Sequence, residues 1–348
     1  MANMTRMDRH RQAELEKEQN KRKNNKLNEE PELPNGSQPN QKKPKKIKKK
    51  KKKSKIFFLI LIALIVLSVV GYFKGVGSAK LDKNNKQADV GNFLGEKSQD
   101  GSTNVLLLGS DSRGEDQGRS DSIMIAHYDK KNKQPKLVSI MRDTYVAIPQ
   151  NGGIEYNKIN AAYSYGGPEL VRKTIKETFG VPIQYYAIVN FESFPKIVET
   201  LAPGGLKIDA EKELEVEGTV IKKGEQKMSG KEALQYARFR KDEESDFGRV
   251  RRQQQVMTAL LKQGLNPLNA WRLPETIGTV RGYTQTNIPF SFYPGVGTSY
   301  LFSQHKPLDI LTIPVEGSWN DGYYEHSGSV LEIDEAINGQ AIKTFFTN

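Results

Sequence analysis

From Ile56 to Phe73 the sequence runs for 18 residues without a charged side chain and stops at Lys74. As a helix rising 1.5 Å per residue the run is ~27 Å long, close to the hydrocarbon thickness of a bilayer. This run constrains the whole chain, because the parts on its two sides must then live in different compartments. Eleven lysines stand between Lys42 and Lys55, directly before it. A polybasic flank keeps its own side in the cytoplasm and meets anionic lipid headgroups. The expected topology is single-pass type II in the cell membrane, with everything after Lys74 outside. A cleaved signal peptide is the competing reading, since Gly77 and Ala79 form a small-x-small site. Leaders, however, have an apolar stretch of about 7–15 residues behind a short basic region, and here 55 residues come first.

The same flank accounts for the formal net charge of +12. Residues 1–55 hold 19 basic and 7 acidic side chains, and the rest of the chain balances at 34 of each. The excess belongs to the tail, so no nucleic-acid surface is expected on the folded part. The tail is low in apolar residues and should be disordered. Residues 74–100 are polar and read as an extracellular linker, which leaves 101–348 for one domain. Cysteine is absent, which excludes disulfides, thiolate nucleophiles and zinc–thiolate sites. Histidine occurs four times, at 10, 127, 305 and 326, with His10 in the tail. A Ser-His-Asp hydrolase or a multi-histidine metal centre is therefore poorly supplied. Walker, HExxH and GxSxG motifs do not occur either.

Strand patterns appear at Asn104–Gly109, Ser122–Tyr128, Lys136–Met141, Thr144–Ile148, Ile183–Val189, Leu206–Ile208, Leu308–Ile313 and Val330–Ile333. Helices are expected over Pro168–Phe179 (stopped by Gly180), Ser193–Leu201, Lys231–Arg238, Asp246 to about Gln263, and Asp334–Phe346. Strands alternating with helices predict a single α/β sandwich domain, a central mixed sheet flanked by helices.

The chemistry concentrates at strand ends. In Gly109-Ser-Asp-Ser-Arg-Gly-Glu-Asp-Gln-Gly-Arg-Ser-Asp-Ser122 a buried strand ends, a polar loop follows and a second strand starts. Asp111, Arg113, Arg119 and Asp121 then fall at one rim of the sheet. Two carboxylates on consecutive strand ends can share a hard divalent cation whose remaining positions go to water and phosphate oxygens. The plain alternative is a solvated hairpin with surface ion pairs. Arg142 and Asp143 again follow a hydrophobic strand. Arg238 and Arg240 are two apart and share a face if extended. Asp246 is placed as the N-cap of the long helix, with Arg249, Arg252 and Gln253 on one side of its first turns. An anion there meets guanidinium forks and the positive end of the helix dipole. Neighbouring Asp242, Glu243 and Glu244 allow a salt-bridged surface instead, at ~0–1 kcal/mol per exposed pair. Yet Arg is used here where the tail uses Lys, which fits bidentate phosphate recognition.

Taken in order, NVLLLGSDSR, GRSDSIMI, SIMRDTYV, KINAAYSYGG, IVNFESF, GKEALQYARFRKD and DFGRVRRQQQV, behind a basic tail and one span, resemble the LytR-CpsA-Psr family. The match runs from about Asn104 to Gln255 and more loosely to the last helix. Met141 departs from it, standing where the family more often has proline. The resemblance implies a Gram-positive, Mg²⁺-dependent phosphotransferase, with Mn²⁺ a substitute ion. It would move an anionic glycopolymer (wall teichoic acid, capsule or similar) from undecaprenyl pyrophosphate to peptidoglycan. It implies metal ligation by Asp111 and Asp121, and arginines around the pyrophosphate at Arg119, Arg142, Arg238, Arg240 and Arg249. Arg113, Arg252 and Gln253 join the expected pyrophosphate site. Asp143, Asp242 and Asp246 fall in the same motifs, Asp143 and Asp246 being expected in the catalytic set with Arg142, Arg238, Arg240 and Arg249. An apolar slot for the lipid is expected among Leu137–Met141, Tyr186–Phe191 and Phe194–Leu201. Two other functions use the same residues or none: a hydrolase that releases the polymer, and a non-catalytic sensor or regulator of the envelope.

Overall fold

The computed structural model describes residues 16–19, 50–83, 85, 87, 89–111, 118–129, 134–150, 152–264, 273–292 and 307–348. They form two units, 1–56 and 57–348. In the first, residues 16–19 are helical, as are 50–56.

Helix α1 spans Lys50–Leu81, and its Phe58–Leu81 segment is long and apolar enough to cross a bilayer. Strands β1 (Thr103–Ser110), β2 (Ser120–Tyr128), β3 (Pro135–Ile140), β4 (Thr144–Gln150) and β5 (Gly153–Lys158) follow. Then come α2 (Ala161–Phe179), β6 (Tyr185–Asn190), α3 (Phe194–Leu201), β7 (Leu206–Ala210), β8 (Leu214–Val216), β9 (Thr219–Ile221) and β10 (Gly224–Met228). Helices α4 (Gly230–Arg238), α5 (Ser245–Gly264) and α6 (Leu273–Tyr283) precede β11 (Gln285–Thr286), β12 (Asp309–Ile313), β13 (Trp319–Tyr324), β14 (Gly328–Ile333) and α7 (Glu335–Thr347).

The central sheet has the order β11-β6-β1-β2-β3-β12 and is mixed, as expected: β1 pairs parallel with β6 and antiparallel with β2, and β3 pairs parallel with β12. A second sheet, β13-β14-β4-β5, leaves the first where β3 hands over to β4. Alternation decides the layers, since successive strand side chains point to opposite faces. Leu106, Ile123, Ile125 and Val138 face a core shared with Val146 and Ile148 of β4, Val171 and Ile175 of α2, and Ile342 of α7. A second core lies under α3, α4 and α5, built from Val198, Ala233, Tyr236, Val256 and Leu260 with Leu206 and Ile208 of β7. The site forms between this second layer and the sheet.

Several elements differ from the expected ones. Helix α2 begins at Ala161 rather than Pro168, with a break at Gly166 and Gly167, whose φ of +61° suits glycine. Pro168 thus starts the second half of the helix, where its missing N–H costs nothing. Residues 74–100 are not a free linker. The helix continues through Leu81, Asn85 Nδ2 donates to Gly282 O at 2.8 Å, Val90 enters the main core, and Glu96 N donates to Ile183 O at 2.7 Å. Helix α6, which no sequence pattern announces, packs on the end of α1 through small residues. A Cβ on Gly75 would lie 2.3 Å from Glu275 O, and one on Gly278 would lie 2.1 Å from Tyr72 O. Small residues four apart let two helix backbones approach this closely.

Candidate active site

The site is built where β1, β2 and β3 end. The β1–β2 ladder is regular to Gly109↔Ser122, then shifts to Ser110↔Ser120, so Asp121 is the extra residue of a bulge. A bulge re-aims the side chain it carries, and Asp121 lines a small polar cavity. Asp111 lies just past β1, exposed, with its Oδ1 accepting the Arg119 N–H at 3.0 Å. Arg119 is exposed as well, its charge beside Tyr165 rather than in the cavity. Arg113 falls outside the described residues.

Arg142 and Asp143 occupy the handover from the first sheet to the second. The backbone is pinned on both sides there: Asn160 N donates to Arg142 O, and Leu331 N to Asp143 O. Arg142 reaches three carboxylates, Asp121 Oδ1 at 2.8 Å, Asp246 Oδ2 at 3.1 Å and Asp143 Oδ2 at 3.3 Å. Burial works against its charge, but these carboxylates outweigh it and hold the guanidinium above its ordinary pKa. Lys158 adds a fourth contact at Asp143 Oδ1, 2.9 Å. Lys158 was not singled out from the sequence, although it stands in the KINAAYSYGG motif.

Helix α5 brings in the rest. Asp246 is not its cap: the helix starts at Ser245, whose φ of +45° makes the turn, and Asp246 sits inside the first turn. There its charge still complements the dipole. Arg249 Nη2 bonds Asp246 Oδ2 at 3.0 Å with its side chain only 2 % exposed. Its Nε and Nη1 are buried and have no hydrogen-bond partner among the described residues. Burial, added to by Arg142 and Arg240, pushes this guanidinium down to about 10.

Gln253 follows Arg249 by four residues and lines the same cavity. Arg252 does not join them. Being adjacent to Gln253, it projects about 100° away around the helix, into Asp242 Oδ2 (2.8 Å), Glu211 Oε1 (3.2 Å) and Phe239 O (2.7 Å). It and Asp242 hold the 239–244 turn in place and touch no cavity of the site.

That turn positions Arg240, while Arg238 closes α4. Both line a cavity of about 150 Å³ with Asp121, Arg249, Gln253 and Glu217. Arg240 lies 3.9 Å from both Asp121 and Asp246. Arg238 stacks its guanidinium on Phe191 at 4.4 Å. Phe191, Arg238 and Gln253 also border a second cavity of about 170 Å³, lined by Leu107, Met124, Ala187, Val189, Leu234 and Val256. An arginine-rich pocket therefore adjoins an apolar slot, the two sharing Phe191, Arg238 and Gln253 as lining. The slot uses β6 and Phe194 as expected, but β1, β2, α4 and α5 line it instead of Leu137–Met141. On β3, Leu137, Val138 and Ile140 are buried, and Val138 and Ile140 face the other core.

Asp143 and Asp246 touch each other, and the contact splits them. Burial raises Asp143, yet hydrogen bonds from Asp246 and Lys158 and the Arg142 charge leave it below the ordinary carboxylate value. Asp246 is raised, by burial first and by Asp143 second. The site thus offers one fixed anion and one carboxyl with raised proton affinity among several guanidinium groups. Among the described residues no group of three or more His, Cys, Asp or Glu side chains gathers to hold a metal. Asp111 and Asp121 are carboxylates, the donor type Mg²⁺ takes, but Asp121 Oδ1 bonds Arg142 at 2.8 Å and Asp111 is not among the residues lining the cavity.

The LytR_cpsA_psr family model matches residues 67–342. The Regulatory protein MsrR of Staphylococcus aureus (strain COL) is 44 % identical over 275 residues, 79 % of this chain and 83 % of that protein. The polyisoprenyl-teichoic acid–peptidoglycan teichoic acid transferase TagU of Bacillus anthracis (strain CDC 684 / NRRL 3495) is 38 % identical over 211 residues, 60 % and 66 % of the two chains. A solved structure of TagT bound to LI-WTA superposes with a TM-score of 0.56 at 28 % identity, covering 73 % of this chain and 93 % of that one.

Proposed function

The chain belongs to the LytR-CpsA-Psr family, and on that premise we propose that it moves an anionic glycopolymer from undecaprenyl pyrophosphate to peptidoglycan. The observation that carries this reading is Arg249, a buried guanidinium with two nitrogens unpartnered among the described residues, in an arginine-rich cavity that adjoins an apolar slot. Leaving such donors unsatisfied costs free energy, and a diphosphate supplies the missing acceptors. The transferase named among the relatives and the TagT complex support the same substrate class.

In this reading Arg249, Arg240 and Arg238 grip the diphosphate oxygens, and Gln253 and Phe191 border the first part of the prenyl chain. Arg142 is held by three carboxylates and so presents a fixed guanidinium to the non-bridging oxygens of the phosphoryl group under attack. Phosphoryl transfer needs chiefly positioning and charge stabilisation. The acceptor hydroxyl forms a new O–P bond to the glycan-bearing phosphorus, the bridging P–O bond breaks, and undecaprenyl phosphate leaves. Asp246 takes the hydroxyl proton, because it has the raised proton affinity of the pair. Mg²⁺, held by Asp111 and Asp121, would neutralise charge on the phosphate oxygens. On the proposed topology the donor lipid and the helix Phe58–Leu81 share one membrane, and the lysines before it meet anionic headgroups.

The name of the staphylococcal relative favours a regulatory reading as well. An assay with lipid-linked oligosaccharide, with and without peptidoglycan, separates the alternatives. Product that depends on acceptor supports transfer, free phosphorylated glycan supports hydrolysis, and no product supports regulation. EDTA should abolish transfer and Mg²⁺ restore it; full activity in EDTA would remove Asp111 and Asp121 from the ligand set.

A further inference from the structure

The outer face of the second sheet is aromatic and open. On β4, Val146 and Ile148 enter the core, so Tyr145 and Ala147 point the other way. Tyr145 stands opposite Lys158 and Ala147 opposite Tyr156 on β5, and Tyr145 pairs with Glu332 on β14. Tyr324 of β13 stacks on Tyr145 with ring centroids 4.4 Å apart and planes at 9°. Tyr156 lies 6.1 Å from Tyr145, and His326 lies 5.9 Å from Tyr324. Tyr156 is 56 % exposed.

A carboxylate stands among these rings: Tyr324 OH donates to Glu332 Oε1 at 2.7 Å. Flat rings with a carboxylate at their edge match a saccharide: C–H faces of the sugar stack on the rings, and a hydroxyl donates to the carboxylate. Tyrosine suits such half-wet contacts, having an apolar face and a polar tip.

We propose that this face, centred on Tyr145, Tyr156 and Tyr324, is the docking platform for the glycan strand of the acceptor. The proposal rests on the transfer reading above and names its acceptor subsite. Two observations select this occupant. Glu332, which shares this face with Tyr145, repels an anionic polymer and so disfavours the donor. The platform is also continuous with the site, since Lys158, opposite Tyr145, bonds Asp143 at 2.9 Å. A strand lying on the tyrosines ends beside the Asp143–Asp246 pair.

The test titrates the full chain in detergent with β-1,4-linked N-acetylglucosamine oligosaccharides and follows binding calorimetrically. Tyr156→Ala, whose ring is largely exposed, should weaken binding about tenfold and raise the acceptor KM more than it lowers kcat. Tyr145→Ala, checked for folding by circular dichroism, should do the same. No binding by the parent chain, equal binding by the Tyr156→Ala variant, or tighter binding of an anionic polymer would each overturn the platform. The readouts separate the two ideas. Oligosaccharide binding that needs Tyr156 but comes without transfer leaves the platform standing alone. Transfer with an unchanged acceptor KM in Tyr156→Ala leaves the reaction standing and removes the platform.

Discussion

At the residue scale, Arg249 and Arg252 have almost the same burial and opposite surroundings. Arg252 is fully buried against two carboxylates and a carbonyl. Arg252→Ala leaves those acceptors stranded and should destabilise the protein by about 3–5 kcal/mol, read from a thermal or denaturant melt. Arg249 has one carboxylate partner, and two of its nitrogens have none among the described residues, against one nitrogen of Arg252. Arg249→Met should therefore leave stability unchanged or improved, while transfer falls by at least ~10²-fold. Equal stability loss in both variants would contradict the division between binding and structural arginines. The carboxylate pair gives a pH test. A base works only when deprotonated, so activity falls as pH drops through the Asp246 pKa. That value is raised by burial and by Asp143, which places the acidic limb above the ordinary aspartate range. Asp143→Asn removes the neighbouring negative charge and should move the limb to lower pH. A limb that stays put or moves upward would assign the proton to another group. Sequence alone named Arg142, Asp143, Arg238, Arg240, Arg249 and Gln253, and the structure brings Arg238, Arg240, Arg249 and Gln253 to one cavity. Sequence could not separate Arg252 from Gln253, because that depends on which side of α5 meets the 239–244 turn.

At the element scale, apolar strands were legible and polar ones were not. β1, β2 and β3 announce themselves by hydrophobic runs, since both of their faces meet side chains. β13 reads Trp-Asn-Asp-Gly-Tyr-Tyr and β5 reads Gly-Ile-Glu-Tyr-Asn-Lys; each has a face in water, and neither shows a clean period. Helix α6, Leu-Pro-Glu-Thr-Ile-Gly-Thr-Val-Arg-Gly-Tyr, carries two glycines that lower helix propensity by about 1 kcal/mol each. Those glycines make sense only beside α1, a partner some 200 residues earlier in the chain. Gly278→Leu should force the pair apart, because even a Cβ would meet the Tyr72 carbonyl at 2.1 Å. Faster proteolysis between residues 82 and 96, with the sheets intact by circular dichroism, is the expected result. Unchanged proteolysis would mean that the seam does not hold the segment.

At the scale of the whole molecule, the apolar helix is legible from hydropathy, but the helix runs on to Leu81, past the point where the apolar run stops. Polar residues 74–100 looked like a spacer because packing through Asn85, Val90 and Glu96 uses single side chains and backbone groups, which leave no periodic trace. Cleaving the chain within that segment should reduce turnover of a bilayer-embedded donor far more than turnover of a short-chain, water-soluble one. Equal losses on both would show that attachment to the helix contributes nothing beyond stability.

The glycine seam between α1 and α6 bears on the reach of the protein. A domain on a slack tether sweeps a hemisphere; one clamped to its stalk keeps a single bearing and altitude. With the stalk seated in lipid as proposed, the clamped cavity would stay close to the bilayer. On the transfer reading, strands near that surface would be the ones within range.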